Sequence, residues 1–166
     1  MMITIRNLSI KFQKQIFEIA SFEAYEGQVT SISGKSGSRK TTLLKFIMGE
    51  YFQNGRLFYY QRELCKENRD DFLFHHVSYI NQEGHYFPNM TVFQHFDFYS
   101  QLHGIDLSLE QMNQYLKKVH LDHISVHDNP KILSTGERKR FLISLELMMN
   151  KSVLLLDEST ASIEFG

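Results

Sequence analysis

SISGKSGSRKTTLLKF, Ser31 to Phe46, is the stretch on which the fold turns. It reads as the end of a β-branched run, then a Gly/Ser-rich loop, then an apolar-periodic helix closed by Gly49. Strand, loop and helix in that order are what an anion site at a helix N-terminus requires. The register fits the phosphate-loop pattern G-x-x-x-x-G-K-[ST] at Gly34, Lys40 and Thr41, but Arg39 stands where the second glycine belongs. Taken alone, the stretch also reads as a plain Gly/Ser turn before a helix.

In phosphate-loop chemistry, successive backbone N–H groups wrap a nucleotide's β- and γ-phosphates. Lys40 then supplies a point charge and the Thr41 hydroxyl a Mg2+ ligand. Arg39 bears on this in two opposite ways. If the backbone there is left-handed, a side chain costs about 1–2 kcal/mol, or about tenfold in affinity. An arginine beside a triphosphate recovers part of that by charge-assisted hydrogen bonding. The expectation is binding that is weakened rather than abolished. Gly37 is retained.

Outward from the loop, Met2 to Ser9 and Gln15 to Phe22 read as strands, Gly27 marks a turn, and Gln28 to Ser33 reads as the strand feeding the loop. Gly55 to Tyr60 and His76 to Ile80 are further strand candidates. Thr91 to His103, Ser108 to Val119 and Gly136 to Asn150 read as helices. Ser108 and Gln111 have capping-box spacing, and Phe141, Leu142, Leu145 and Met148 have core spacing. Val153 to Leu156 is a short, fully apolar run, expected inside a parallel sheet covered on both faces. Strands alternating with helices predict an α/β fold.

The 166 residues suit one domain able to bury a sizeable core, with 14 Phe and 8 Tyr as bulky core material. A formal net charge of −1 gives no global pull toward nucleic acid or anionic lipid. The lone Cys65 cannot form an internal disulfide, which favours a reducing compartment. The first ten residues are too polar for a signal peptide, and no apolar run approaches the ~20 residues of a membrane span. Any membrane role therefore falls to a partner.

Two later stretches carry chemistry. ILSTGERKR spans Ile132 to Arg140, and Val153 to Leu156 ends in Asp157 and Glu158. A carboxylate at the C-terminal edge of a buried strand is well placed for a Mg2+ shell, and the next one for a general base on water. In isolation, an Asp-Glu pair after a strand also reads as a solvated turn.

Together these motifs resemble the ATP-binding cassette (ABC) ATPase family, across essentially the whole chain. Gly34, Lys35, Ser36, Gly37, Ser38, Arg39, Lys40, Thr41 and Thr42 look like its Walker A loop, and Gln82 like its Q-loop glutamine. Leu133 to Glu137, LSTGE, looks like the family signature, with Ser134, Gly136 and Glu137 in register. Val153 to Glu158 looks like Walker B, and Ala161 to Glu164 like the D-loop. Phe12 matches the adenine-stacking aromatic, and Phe87 to His95 the opening of the family's helical subdomain.

The resemblance implies a P-loop NTPase fold with a mostly parallel core sheet, an N-terminal antiparallel β subdomain and an inserted α-helical subdomain. It implies one domain, its core about 1–86 and 128–166 and its helical subdomain about 87–127. It implies ATP and Mg2+ as cofactors and ATP hydrolysis powering transport. Thr41, Gln82 and Asp157 are the implied metal ligands. Glu158, Gln82 and Lys40 are the implied catalytic residues, with Glu158 polarising water. The implied partners are a second ABC ATPase domain, facing this one head to tail so that Ser134 and Gly136 approach its γ-phosphate, and a transmembrane subunit. No nucleic acid is implied, and the implied location is peripheral, on the cytoplasmic face of the cell membrane.

The sequence departs from the pattern at Arg39, at Thr135 for a signature glycine, at Ser159 and Glu164, and in ending at Gly166 with no switch histidine. The expectation drawn from the last is a C-terminally truncated domain with weak or absent hydrolysis on its own. An alternative is a degenerate subunit that binds ATP weakly and does not hydrolyse it. A soluble ABC protein of translation or DNA repair is disfavoured, because the 51 positions from Gln82 to Leu133 leave no room for a coiled coil. His120, His123 and His127 have i, i+3, i+7 spacing but only Asp122 among them as an acid. The Arg138–Arg140 run falls inside the signature helix rather than forming a nucleic-acid patch.

Overall fold

The computed structural model describes residues 2–12, 15–81 and 84–157. These fall into two compact units, residues 1–75 and 76–166.

The first unit is built on an antiparallel sheet. Strands β1 (Ile3–Phe12) and β2 (Gln15–Ala24) pair along their length, from Ile3 opposite Ala24 to Phe12 opposite Gln15. Strand β3 (Arg56–Tyr59) pairs with the other edge of β1, and β4 (Arg62–Glu63) with β3, giving the order β2-β1-β3-β4. Ile3, Ile5, Leu8 and Ile10 of β1 are buried, as are Leu57 and Tyr59 of β3. The β3–β4 link is a two-residue turn, Tyr60 and Gln61, both at positive φ (46° and 70°). That backbone twist matches the twist of the flanking strands, and it is adopted here without the usual Asn or Gly. Helix α1 (Lys40–Ile47) follows the Gly-rich loop and buries Leu43, Leu44, Phe46 and Ile47. The Tyr59 hydroxyl donates to the Ile47 carbonyl at 2.6 Å. This satisfies one of the last-turn carbonyls that have no partner within a helix. Helix α2 (Arg69–His76) has two aspartates in its first turn, where they oppose the positive end of the helix dipole.

The second unit holds a parallel pair, β5 (Val77–Ile80) and β6 (Val153–Leu156), in register from Val77 opposite Val153 to Ile80 opposite Leu156. Helices α3 (Val92–Leu102), α4 (Leu109–Lys118) and α5 (Thr135–Met149) surround one core. That core joins Phe96 of α3, Met112 and Leu116 of α4, Phe141 and Leu145 of α5, and Ile80 of β5. Each of the three helices begins with a capping box, at Thr91, Ser108 and Ser134. In each, side chain and backbone satisfy each other's otherwise unpaired donors.

Two expectations need correction, and the histidines and two further elements add detail. Gln28 to Ser33 forms no strand: Val29 is fully exposed and the segment pairs with no described strand. β-branched composition favours a pleated, half-buried surface, and without a neighbour to hydrogen-bond it does not make one. Val153 to Leu156 is not covered on both faces, because Leu154 is exposed while Val153 and Leu155 are buried. Among the described residues β6 pairs only with β5, and it alternates like a half-buried strand. His120, His123 and His127 lie in turns after α4 rather than on one helix face. His120 itself has φ 57°, which ends helical geometry there. Helix α2 and strand β4 were not anticipated: α2 has no buried residue to signal a face, and β4 is two residues long.

Candidate functional site

The Gly-rich loop of the first unit leads directly into α1. Gly37 has φ 79°, a region that costs glycine nothing. A Cβ on Gly34 would lie 2.6 Å from Ser38 Oγ, so a side chain there would force the Ser38 hydroxyl to turn aside. The Ser38 amide donates to the Lys35 carbonyl at 3.1 Å, tightening the turn. Lys40 is the first residue of α1, and its Nζ donates to the carbonyls of Gly34 (2.9 Å) and Lys35 (3.3 Å). The ammonium is thus folded over the loop mouth. Unlike the three helices of the second unit, α1 has no side-chain cap. The first-turn amides of Lys40, Thr41 and Thr42 have no intrahelical acceptor, and the helix dipole adds positive potential there. Lys35, Ser36, Ser38 and Thr41 are exposed around the same loop. First-turn amides, a lysine and exposed hydroxyls form a donor set that fits phosphate and, through Thr41, a hard cation.

Arg39 has φ 69° and ψ 27°, in the left-handed region. The loop therefore keeps the backbone path that a glycine would take, at a cost of about 1–2 kcal/mol for the side chain. Its guanidinium carbon sits 4.3 Å from the centroid of the Phe12 ring, at the end of β1. Phe12 and Arg39, predicted as separate members of the site, are in direct contact. Spacing alone gives no sign of this, since 27 positions part them.

In the second unit β5 and β6 end at the same edge, where the Asp157 amide donates to the Ile80 carbonyl at 3.0 Å. The crevice outside the carboxyl ends of parallel strands is where ligands of open α/β sheets bind. Asp157 is buried there, and the Tyr79 hydroxyl donates to its Oδ2 at 3.3 Å. Gln82 and Glu158, which follow the two strands, lie outside the described residues, as do Ser159 and the Ala161–Glu164 stretch.

The LSTGE stretch forms the start of α5. Ser134 is the N-cap: its Oγ accepts from the Glu137 amide (3.3 Å) and donates to Glu137 Oε2 (2.7 Å). Glu137 Oε2 also accepts from the Ser134 amide at 2.9 Å, and His123 Nε2 lies 2.9 Å from its Oε1. Hydrogen bonds from the Ser134 hydroxyl and amide, then from His123, hold the Glu137 carboxyl down at about 2. Arg138 reaches back to the Leu133 carbonyl with Nε (3.3 Å) and Nη2 (3.2 Å). Ser134 and Thr135 are exposed and Gly136 is half-buried, so the turn presents its outer side to solvent. The Arg138–Arg140 run is helical, with Lys139 buried. The His123 contact was missed. The Ser134 cap was legible as S-x-x-E.

A glycine-rich loop running into a helix with no side-chain cap is the local arrangement of a phosphate-binding loop. The ABC transporter family model matches residues 17–161, and the chain belongs to that family. It is 32% identical to a phosphate import ATP-binding protein of Aeropyrum pernix, over 91% of this chain and 64% of that protein. The chain thus spans just under two thirds of that relative's length. Its fold matches the ATP-binding subunit of an ABC transporter with a TM-score of 0.81 at 17% identity, covering 99% of this chain and 69% of that one. It also matches a dimeric ATP-binding cassette in a post-hydrolysis state, bound to ADP and Pi, with a TM-score of 0.74 at 20% identity, covering 98% of this chain and 76% of that one. The P-loop NTPase cassette fold expected from the sequence is the one observed. No helix among the described residues is long and apolar enough to cross a membrane.

Proposed function

We propose that this chain binds ATP with Mg2+ and hydrolyses it as the ATP-binding subunit of an ABC transporter. It acts as a single cassette domain, paired with a second cassette and docked on a transmembrane subunit at the cytoplasmic membrane face. The observation that carries the reading is the loop from Gly34 to Arg39 opening onto the uncapped first turn of α1, with Lys40 folded over its mouth. The names of the relatives and of the fold neighbours support it.

In this reading the amides of the loop and first turn hold the β- and γ-phosphates, and Lys40 exchanges its two loop carbonyls for phosphate oxygens. Thr41, Gln82 and Asp157 would hold Mg2+, which would supply charge neutralisation for the phosphates. Glu158 takes the proton from the attacking water. Exposed Ser134 and Gly136 present the α5 N-terminus to the γ-phosphate of the partner cassette, where the helix dipole favours negative charge. Cargo selection lies with the membrane subunit.

Calorimetric titration with MgATP tests the binding step. The native chain gives saturable heat, and Lys40→Ala weakens binding about 10–150-fold, the worth of a charged hydrogen-bonding group. A native chain that is folded by circular dichroism yet gives no heat overturns the reading. For hydrolysis, Glu158→Gln lowers turnover about 10²–10⁴-fold, the usual share of a general base. Turnover indifferent to that change leaves binding standing and removes Glu158 from the chemistry.

A further inference from the structure

Arg39 does more than substitute for a glycine. Its left-handed backbone leaves the loop path intact and sends the side chain across to β1. There the guanidinium carbon lies 4.3 Å from the Phe12 centroid, closer than in the other arginine–aromatic pairs described, at 4.9–5.5 Å. The Arg39 Nε is buried and, among the described residues, has no hydrogen-bond partner. Among the described residues, the Phe12 ring face is the contact that positions this side chain. A planar cation at stacking distance takes the position that a planar base would otherwise occupy on that face.

We propose that Arg39 is a specificity-determining residue that plugs the base platform of this nucleotide site, so that the chain recognises the polyphosphate and discriminates little between bases. The inference rests on the reading of Phe12 as that platform. Two contributions are separated by the arrangement. The loop amides and Lys40 read phosphate and are unaffected by the plug. The Phe12 face, which would read the base by stacking, is already filled. A base gains its stacking only by displacing the guanidinium, and the two gains then largely cancel.

The test is calorimetry in the presence of Mg2+ with ATP, CTP and inorganic tripolyphosphate, on the native chain, Arg39→Gly and the double variant Phe12→Leu/Arg39→Gly. Circular dichroism confirms that each is folded. On the native chain the three ligands bind within about threefold of one another. Arg39→Gly opens the ring and favours ATP over tripolyphosphate by about tenfold or more, the usual worth of stacking one base on an aromatic. The double variant returns to near-equal affinities. A native chain that already prefers ATP as strongly as Arg39→Gly overturns the plug while leaving nucleotide binding intact. So does an Arg39→Gly preference that survives the loss of Phe12. If neither the native chain nor Arg39→Gly binds any of the three, the nucleotide reading itself fails, and the plug with it. A direct readout in the ligand-free protein is the ring-current shift of the Arg39 side-chain protons by NMR. It is expected in the native chain and lost in Phe12→Leu, and its absence from the native chain overturns the contact.

Discussion

Removing one oxygen from Tyr59 should loosen the seat of the phosphate-loop helix. Tyr59 is buried in β3, and its hydroxyl donates to the carbonyl of Ile47, the last residue of α1, at 2.6 Å. The carbonyls of Leu44, Lys45 and Phe46 accept from Met48, Glu50 and Gly49 as the helix ends. Tyr59→Phe keeps the ring and its packing on Phe72, at a centroid distance of 4.3 Å. It strands a buried carbonyl, which costs about 1–3 kcal/mol. With a urea slope of about 2 kcal/mol/M, the unfolding midpoint falls by about 0.5–1.5 M. The assay is urea denaturation followed by circular dichroism, since the chain has no Trp. Tyr59→Leu removes the ring as well and falls further, by about 0.5–1.5 kcal/mol for the lost aromatic pair. A Tyr59→Phe midpoint indistinguishable from the native one would refute the claim that this bond anchors α1. Burial also raises the Tyr59 phenol far above its ordinary value near 10. A raised value in the folded state means the stabilisation is complete below pH 10 and is lost as pH climbs beyond it. Spectroscopic titration should therefore show Tyr59 missing from the phenols that ionise near pH 10 in the folded chain.

Three further outcomes are expected. Ser134→Ala removes the α5 cap and should cost about 1 kcal/mol in denaturant unfolding, with faster amide exchange confined to the first turn. Phe141→Ala removes a fully buried ring that packs edge-on against His95 (5.3 Å) and Phe96 (6.3 Å), and should cost about 3–5 kcal/mol by the same assay. Such a loss is a large share of a typical domain's 5–15 kcal/mol, so loss of cooperative unfolding in the second unit is the expected extreme. Glu137, held near 2 against an ordinary value of 4.5, contributes stability that is full above pH 4.5 and lost as pH falls toward 2. Carbon-13 NMR titration of its carboxyl should show that low midpoint, and His123→Ala should move it upward.

Much of this protein is legible in its amino-acid sequence. Loop and helix spacing around Gly34, Lys40 and Thr41, the capping pairs at Ser108 and Ser134, and the core spacing of Phe141, Leu142, Leu145 and Met148 are local patterns. Each is set by loop or helix geometry within about two turns of chain, so the sequence carries it directly. The failures were non-local. Gln28 to Ser33 has strand composition, but a strand exists only where a neighbour offers hydrogen bonds, and composition does not say whether one does. Turn geometry hid the partnership of His123 with Glu137, 14 residues apart.

From the sequence by itself came the family, the order of its motifs and the oddity of an arginine in the phosphate loop, because these depend on residue type and short spacing. Only tertiary structure decided what that arginine does. The φ of 69° shows that the loop path survives the missing glycine, and the 4.3 Å approach to Phe12 shows where the side chain goes. Both follow from β1 and the loop being brought together in space, a long-range packing outcome that no local pattern encodes.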